Sequence, residues 1–370
     1  MISHGPLAGL RIVEFDAIGP VPLACMILAD LGCEVIRVAR PAGAARVWDD
    51  IGGTVLHRNR THVEVDLKRE GDRAAVLDLI ARADAVMEGF RPGVMERLGL
   101  GPDVCLEANP KLAFVRMTGW GQTGPLAPRA GHDINYIALT GALHAMGEAD
   151  RPPVPPLNYL GDYGGGAMFA VVGLLSAVMS ARATGRGQTV DVAMVEGTAV
   201  LSSMFHAMIA SGLWSDQRGS NLIDGGAPFY RCYACADGGH VAVGALEPQF
   251  FALLLDGLGI ARDRFSQHDR SIWPEMQAAF EAAFASRSRD AWAEVFEGVD
   301  ACVSPVLSFA EAADHPHNRD RGVFPTVNAV RQPAPAPRFS DGEGHIADRS
   351  GALTVDEAIA RWASGPPLQG

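Results

Sequence analysis

A strand, a helix and a second strand follow one another within residues 9–40, and that succession limits the architecture more than any other feature of the chain. "GLRIVEF" (9–15) is an apolar run of strand length, "VPLACMILADLG" (21–32) has helix length and ends at Gly32, and "CEVIRVAR" (33–40) is again a strand. So short a β-α-β unit makes its strands parallel, because a parallel pair needs a crossover where an antiparallel pair needs only a turn. The alternation continues through "HVEVDLK" (62–68), "GDRAAVLDLIARA" (71–83), "DAVMEGF" (84–90) and "LAFVRMTGWG" (112–121). The first ~190 residues are therefore expected to form an α/β, doubly wound, Rossmann-like domain.

A dehydrogenase of this class would carry G-x-G-x-x-G in its first turn and an acid near the end of its second strand. This chain has "IGPVP" (18–22) and Arg40, which excludes the nicotinamide reading and suits a phosphate or a nucleotide base. "GWGQTGP" (119–125) lacks the Lys-Ser or Lys-Thr of a Walker loop and reads as a glycine turn.

With 370 residues the chain exceeds one ordinary core, so a second domain is expected. A helix through "TAVLSSMFHAMIASGLW" leads into the turn-rich "SDQRGSNLIDGGAP" (215–228), which reads as a linker. Beyond it, strands and the patterns "PQFFALLLDGLG" and "WPEMQAAFEAAFAS" predict a smaller α+β domain up to about residue 320. "TVDEAIARWAS" (354–364) is one further helix in a Pro-rich tail.

The formal charge of −12 argues against nucleic-acid or membrane-surface binding. Between Arg37 and Arg69, however, seven Lys or Arg stand against four acids, which is either a local anion site or a scattered solvated face. Six cysteines are too few for a disulfide framework, and Cys232 and Cys235, without a second ligand pair, read as strand residues rather than a metal site. "AMFAVVGLLSAVMSA" (167–181) is shorter than a membrane span and is expected as a buried helix. "MISHGPLAGLRIVEF" has no secretory pattern, so the expected location is cytoplasmic.

Three residues stand where chemistry is conceivable. In "AGHDINYIALTGALHAMG" (130–147), Asp133 is expected to cap a helix whose apolar face carries Ile134, Ile137 and Ala138, with His132 just outside it. His132 is then either an ordinary helix-end residue or a proton-transfer group beside unpaired backbone N–H groups. Asp162, before three glycines in "PPLNYLGDYGGGAMF", is a helix cap or a catalytic acid. Glu247, before Pro248, is a favourable helix N-terminal charge or part of a site.

Ten segments in order resemble one family: "PLAGLRIVEF", "GPVPLACMILADLGCEVIRV", "NRTHVEVDLK", "EGFRPGVMERLGLGP", "RMTGWGQTGP", "GHDINYIALTGALHAMG", "PPLNYLGDYGGGAMF", "GRGQTVDVAMVEG", "DGGAPFYRCYACADGGHVAVGALEPQF" and "PAPRFS". This is similar to the 2-methylacyl-CoA racemases within the family III CoA-transferases. The resemblance implies that fold as an interlocked homodimer, with 1–195 and 320–370 as a large CoA-binding domain, 196–228 as linker helix and extended linker, and 229–319 as the small domain.

The resemblance further implies a racemase of 2-methylacyl-CoA thioesters working by 1,1-proton transfer through an enolate, without metal or other cofactor. His132, supported by Glu247, would serve one face and Asp162 the other, with donors at the helix entrance near Asp133 meeting the enolate oxygen. Glu247 would come from the partner subunit, so the active site would lie at the subunit interface. Arg40, Arg60, Lys68, Arg91 and Arg97 fall in segments that contact CoA in this family, and Met194, Met204 and Met208 in its acyl-binding surface. Departures are Val21 in "GPVP" where glycine is usual, and Leu213 and Leu222 where methionine is expected. Two rivals remain: a CoA-transferase using Asp162 as nucleophile, and a silent CoA-ester binder. "GHDINY" and Glu247 match the racemases rather than the transferases.

Overall fold

The computed structural model describes residues 5–41, 53–347 and 351–364. Arg46, Asp49 and Asp50 of the basic stretch lie outside them. Contact density divides the chain into two compact units, Met1–Thr140 with Pro156–Ser203 and Gly322–Gly370, and Gly141–Pro155 with Met204–Arg321.

The first unit is built on seven strands: β1 (Arg11–Phe15), β2 (Glu34–Ala39), β3 (Thr61–Glu64), β4 (Ala85–Glu88), β5 (Ala113–Thr118), β6 (Gln188–Ala193) and, from the C-terminal tail, β12 (Ala352–Leu353). Every pair is parallel, in the order β12-β3-β2-β1-β4-β5-β6. The expected doubly wound sheet is thus present, with its two edge strands, β6 and β12, not among the strands expected from the sequence. The inner strands are buried on both faces, as parallel sheets require; Ile12, Val115 and Leu174 pack on one side and Val13, Phe114 and Leu79 on the other.

The order reverses at β1, whose neighbours are β2 and β4, so the connections leave a crevice there beyond the C-terminal strand ends. The helix after β1, Pro20–Asp30, starts at proline behind Gly19, whose φ of 88° is the left-handed conformation a side chain resists. Val21 is fully buried beside Gly89, which absorbs the extra bulk in "GPVP".

Tyr159–Met168 forms a π-helix that runs directly into the α-helix Phe169–Thr184. A Cβ at Gly197 would lie 2.0 Å from the Gly165 carbonyl oxygen, so only paired glycines let helix Met194–Leu201 press against the wide turns. The continuous run Tyr159–Thr184 is long and apolar enough to cross a membrane by length and composition, yet it packs on β5 and β6 in the unit's core. The tail is fastened by Arg58, which donates to Asp30 at 2.6 Å, to Gln332 at 2.9 Å and to the Pro333 carbonyl at 2.8 Å.

The second unit has an antiparallel sheet of β7 (Tyr230–Ala234), β8 (His240–Gly244) and β9 (Val303–Pro305). Helices Pro248–Leu258 and Trp273–Phe284 cover one face with an aromatic core that includes Phe229, Tyr233, Phe251 and Phe280. The helix expected through residue 214 is broken into Met194–Leu201 and Ser203–Ala210. The polar stretch after it folds around the buried Asn221, which donates to Ser215 and Asp224. In the same stretch Arg218 donates to the carbonyls of His144, Glu148 and Arg151, tying in Gly141–Pro155. The tail carries a short hairpin of β10 (Thr326–Val327) and β11 (Val330–Arg331) in the first unit.

Candidate active site

At the sheet's switch point a cleft of about 600 Å³ opens, lined by the segments that leave β1, β2, β4 and β5. His132, Asp162, Arg40, Arg91 and Met194 all line it. This is where an open α/β sheet takes ligands.

His132 occupies the N-cap of helix Asp133–Leu139, with φ −133° and ψ 173°, and its N–H donates to Asn135 Oδ1 at 3.1 Å. Asp133, expected as the cap, is instead the first helical residue. Its carboxylate turns inward, where Oδ2 accepts from the backbone N–H groups of Gly161 and Asp162, both at 2.7 Å. Capping passes to His132 because the two π-helix donors outcompete the local N–H groups for that buried oxygen. The bond pair ties the entrance carrying His132 to the turn carrying Asp162. A Cβ at Gly161 would lie 2.6 Å from Asp133 Oδ2, so glycine is needed for the approach.

Asp162 lies within the first turn of the π-helix rather than at a cap. The turn is widened by an i to i+5 bond from Tyr163 N–H to the Asn158 carbonyl at 3.2 Å. Burial pushes the Asp162 carboxyl above the usual aspartate range and the Asp133 charge adds to it, while Asn158 and His132 act in the opposite sense. A carboxyl so raised is a stronger base than an exposed one. Gly19 leaves its approach open, for even a Cβ there would lie 3.5 Å from Asp162 Oδ2.

Replacing Asp133 with Asn keeps an acceptor for the two N–H groups and removes one of the two upward pushes on Asp162. Its titration is expected to move to lower pH, toward an ordinary aspartate, as followed by carboxyl carbon NMR. An unchanged or higher midpoint would contradict this electrostatic coupling.

One wall is aromatic: Trp120 and Tyr136 meet edge to face at 4.8 Å, and the Tyr136 hydroxyl donates to the Gly131 carbonyl. A Cβ at Gly119 would lie 2.1 Å from the tyrosine ring, which gives the glycines of "GWGQTGP" a packing purpose beyond the turn. Burial raises the Tyr136 phenol to about 12. His57 and Arg129 also line the cleft, and neither stands in a pattern that singles it out in the sequence. Burial first, then the nearby Arg37 and Arg60, push His57 down to about 3, so it is a neutral imidazole there. The window of positive charge around it was the available signal.

The four arginines and one lysine expected at CoA separate. Arg40 and Arg91 are exposed in the cleft, whereas Lys68 and Arg97 are exposed away from its lining. Arg60 is a correction: its side chain is 1% exposed and its Nη1 contacts both Glu14 oxygens at 2.6 Å, because Glu14 is fully buried in β1 and needs a counter-charge. Met194 is buried at the cleft, while Met204, Met208 and Glu247 belong to the second unit. Glu247 is exposed and occupies the N-cap position of helix Pro248–Leu258, with no side-chain capping bond. A separate hollow of about 920 Å³ in that unit is lined by Glu148, Asp150, Asp224 and Glu281 but by no histidine. Among the described residues no three His, Cys, Asp or Glu side chains converge as a metal set.

Known proteins fit this geometry. The chain is 46% identical over 336 residues to the alpha-methylacyl-CoA racemase of Mus musculus, covering 90% of this chain and 86% of that protein. To the Homo sapiens protein of the same name it is 43% identical over 333 residues, with the same coverages. The crystal structure of a CAIB/BAIF family protein from Brucella suis superposes with a TM-score of 0.81 at 26% identity, over 97% of this chain and 99% of that one. The sequence description of CoA-transferase family III matches residues 7–354. With its parallel sheet, its cleft and this match, the chain belongs to CoA-transferase family III.

Proposed function

We propose that this protein is a racemase that interconverts the epimers of 2-methylacyl-CoA thioesters. The observation that carries the reading is the pairing of His132 with a half-buried, raised Asp162 in one cleft. The activity named for the mammalian relatives points the same way.

Inverting the carbon α to a thioester needs one group to remove its proton and another, on the opposite face, to return one. In the proposed scheme His132 serves one face and Asp162 the other. Glu247, supplied by a second copy of the chain, fixes the imidazole tautomer and stabilises its cation. The enolate oxygen is met by peptide N–H donors at the entrance near Asp133, a type of contact worth roughly 3 kcal/mol per donor. Arg40 and Arg91 meet the anionic part of CoA. Each proton is passed between carbon and side chain, so this chemistry balances without metal or redox cofactor.

The interlocked homodimer belongs to the same proposal. Helix Ser203–Ala210 has no buried residue, and Met204 and Ile209 are 54% and 51% exposed, an apolar face that a second copy would cover.

The test is incubation in D₂O with one pure epimer of a 2-methylacyl-CoA and no acyl acceptor, followed by NMR of the α-position and chiral separation. Deuterium incorporation with convergence on both epimers is expected. An inert α-proton, with CoA transfer appearing once a free carboxylic acid is added, would make Asp162 a nucleophile and overturn the racemase reading.

A further inference from the structure

Glu247 sits on the short turn that joins β8 to helix Pro248–Leu258, and its side chain is exposed. An exposed carboxylate that must orient an imidazole needs a fixed backbone beneath it. That turn is held from two sides. On the sheet side, the Gly244 N–H donates to the Cys302 carbonyl at 2.8 Å and the Ala245 N–H to the Phe229 carbonyl at 2.9 Å.

On the other side stands Gln267, a carboxamide only 8% exposed. Its Nε2 donates to the carbonyls of Ala245 at 3.1 Å and Leu246 at 2.8 Å, the two residues directly before Glu247. Two carbonyl neighbours admit only the amide nitrogen, which fixes the side chain's orientation. The main chain of Gln267 is held in turn, since Trp273 Nε1–H donates to the backbone carbonyl of Gln267 at 2.9 Å from within the aromatic core. Burying a carboxamide is costly unless its hydrogens are used, and here both satisfy carbonyls that would otherwise float at a strand end.

We infer that Gln267 is a positioning residue, holding the backbone of Glu247 so that its carboxylate can orient the imidazole of His132. It touches no substrate. The inference rests on the racemase reading and adds a specific requirement to it.

The experiment uses the full-length protein carrying Gln267→Leu or Gln267→Met, each alone and combined with Glu247→Gln, and both pure epimers in D₂O. His132→Asn identifies the epimer facing Asp162, as the one that still exchanges. In the Gln267 variants, racemisation and exchange into the other epimer are expected to fall about tenfold. Exchange with retention into the epimer facing Asp162 should stay within about twofold of wild type. In the Glu247→Gln background, either Gln267 change should add almost nothing. Equal loss in both epimers, no loss in either, or an undiminished loss in that background would overturn the assignment. Melting curves choose between the variants, since methionine fills nearly the volume of glutamine if leucine fails to fold. A wild-type protein that exchanges neither epimer removes the racemase reading and this inference with it, whereas normal wild-type exchange with a symmetric variant removes the inference alone.

Discussion

Asp162→Asn is expected to lower kcat for racemisation by about 10³-fold while changing KM for the CoA thioester less than about threefold. Asparagine keeps the shape and the contact with Asn158 at 3.4 Å but cannot take a proton. KM is spared because the anionic part of CoA would be met by Arg40 and Arg91, which lie elsewhere in the cleft lining. The informative readout is isotopic. With two bases on opposite faces, the epimer facing His132 should still exchange its α-proton with D₂O in the variant, with retention, while the epimer facing Asp162 becomes inert. A one-base mechanism would keep or lose both together. Full racemisation in Asp162→Asn would remove Asp162 from the chemistry.

The inner strands of the large-domain sheet were legible because burial on both faces writes strands as plain apolar runs, and five of the seven lie within or close to the predicted segments, Gln188–Ala193 at one largely exposed edge being missed. The seventh, Ala352–Leu353, has only two residues and no periodicity to read; its partner β3 creates it. The site was less legible for a related reason. His132 and Asp162 are each ambiguous alone, and what joins them is Asp133 Oδ2, a bond across 28 and 29 positions that no local pattern encodes. The π-helix around Asp162 depends likewise on glycines at 165 and 197 meeting in space. Charge counting failed most instructively. Arg37, Arg58 and Arg60 of the basic stretch pair with Asp16, Asp30 and Glu14, acids that precede the stretch and so were never counted against it. Of the stretch's cations among the described residues, Arg40 is the one in the cleft lining.

Arg60→Met tests that correction, and its expected effect falls on stability rather than on substrate. The change removes the cation beside Glu14, a carboxylate with no solvent exposure at the centre of the sheet. Breaking a buried pair from one side typically costs about 3–5 kcal/mol, because the remaining charge is stranded. In the native protein burial already pushes the Glu14 carboxyl up and Arg60 is the principal force pulling it down, so without Arg60 it rises further. A group whose folded pKa is raised favours folding below its unfolded value and loses that contribution as pH climbs through the folded value. The deficit against wild type should therefore be smallest near the ordinary glutamate range and grow toward neutrality, as measured by urea unfolding at several pH values. Adding Glu14→Gln should restore most of the loss at neutral pH, since no charge is then left unpaired. Were Arg60 a CoA phosphate contact instead, Arg60→Met would unfold like wild type and raise KM at every pH. The two readings thus part on observables that do not overlap, and the one favoured here needs Arg60 to be as inaccessible to CoA as its 1% exposure makes it.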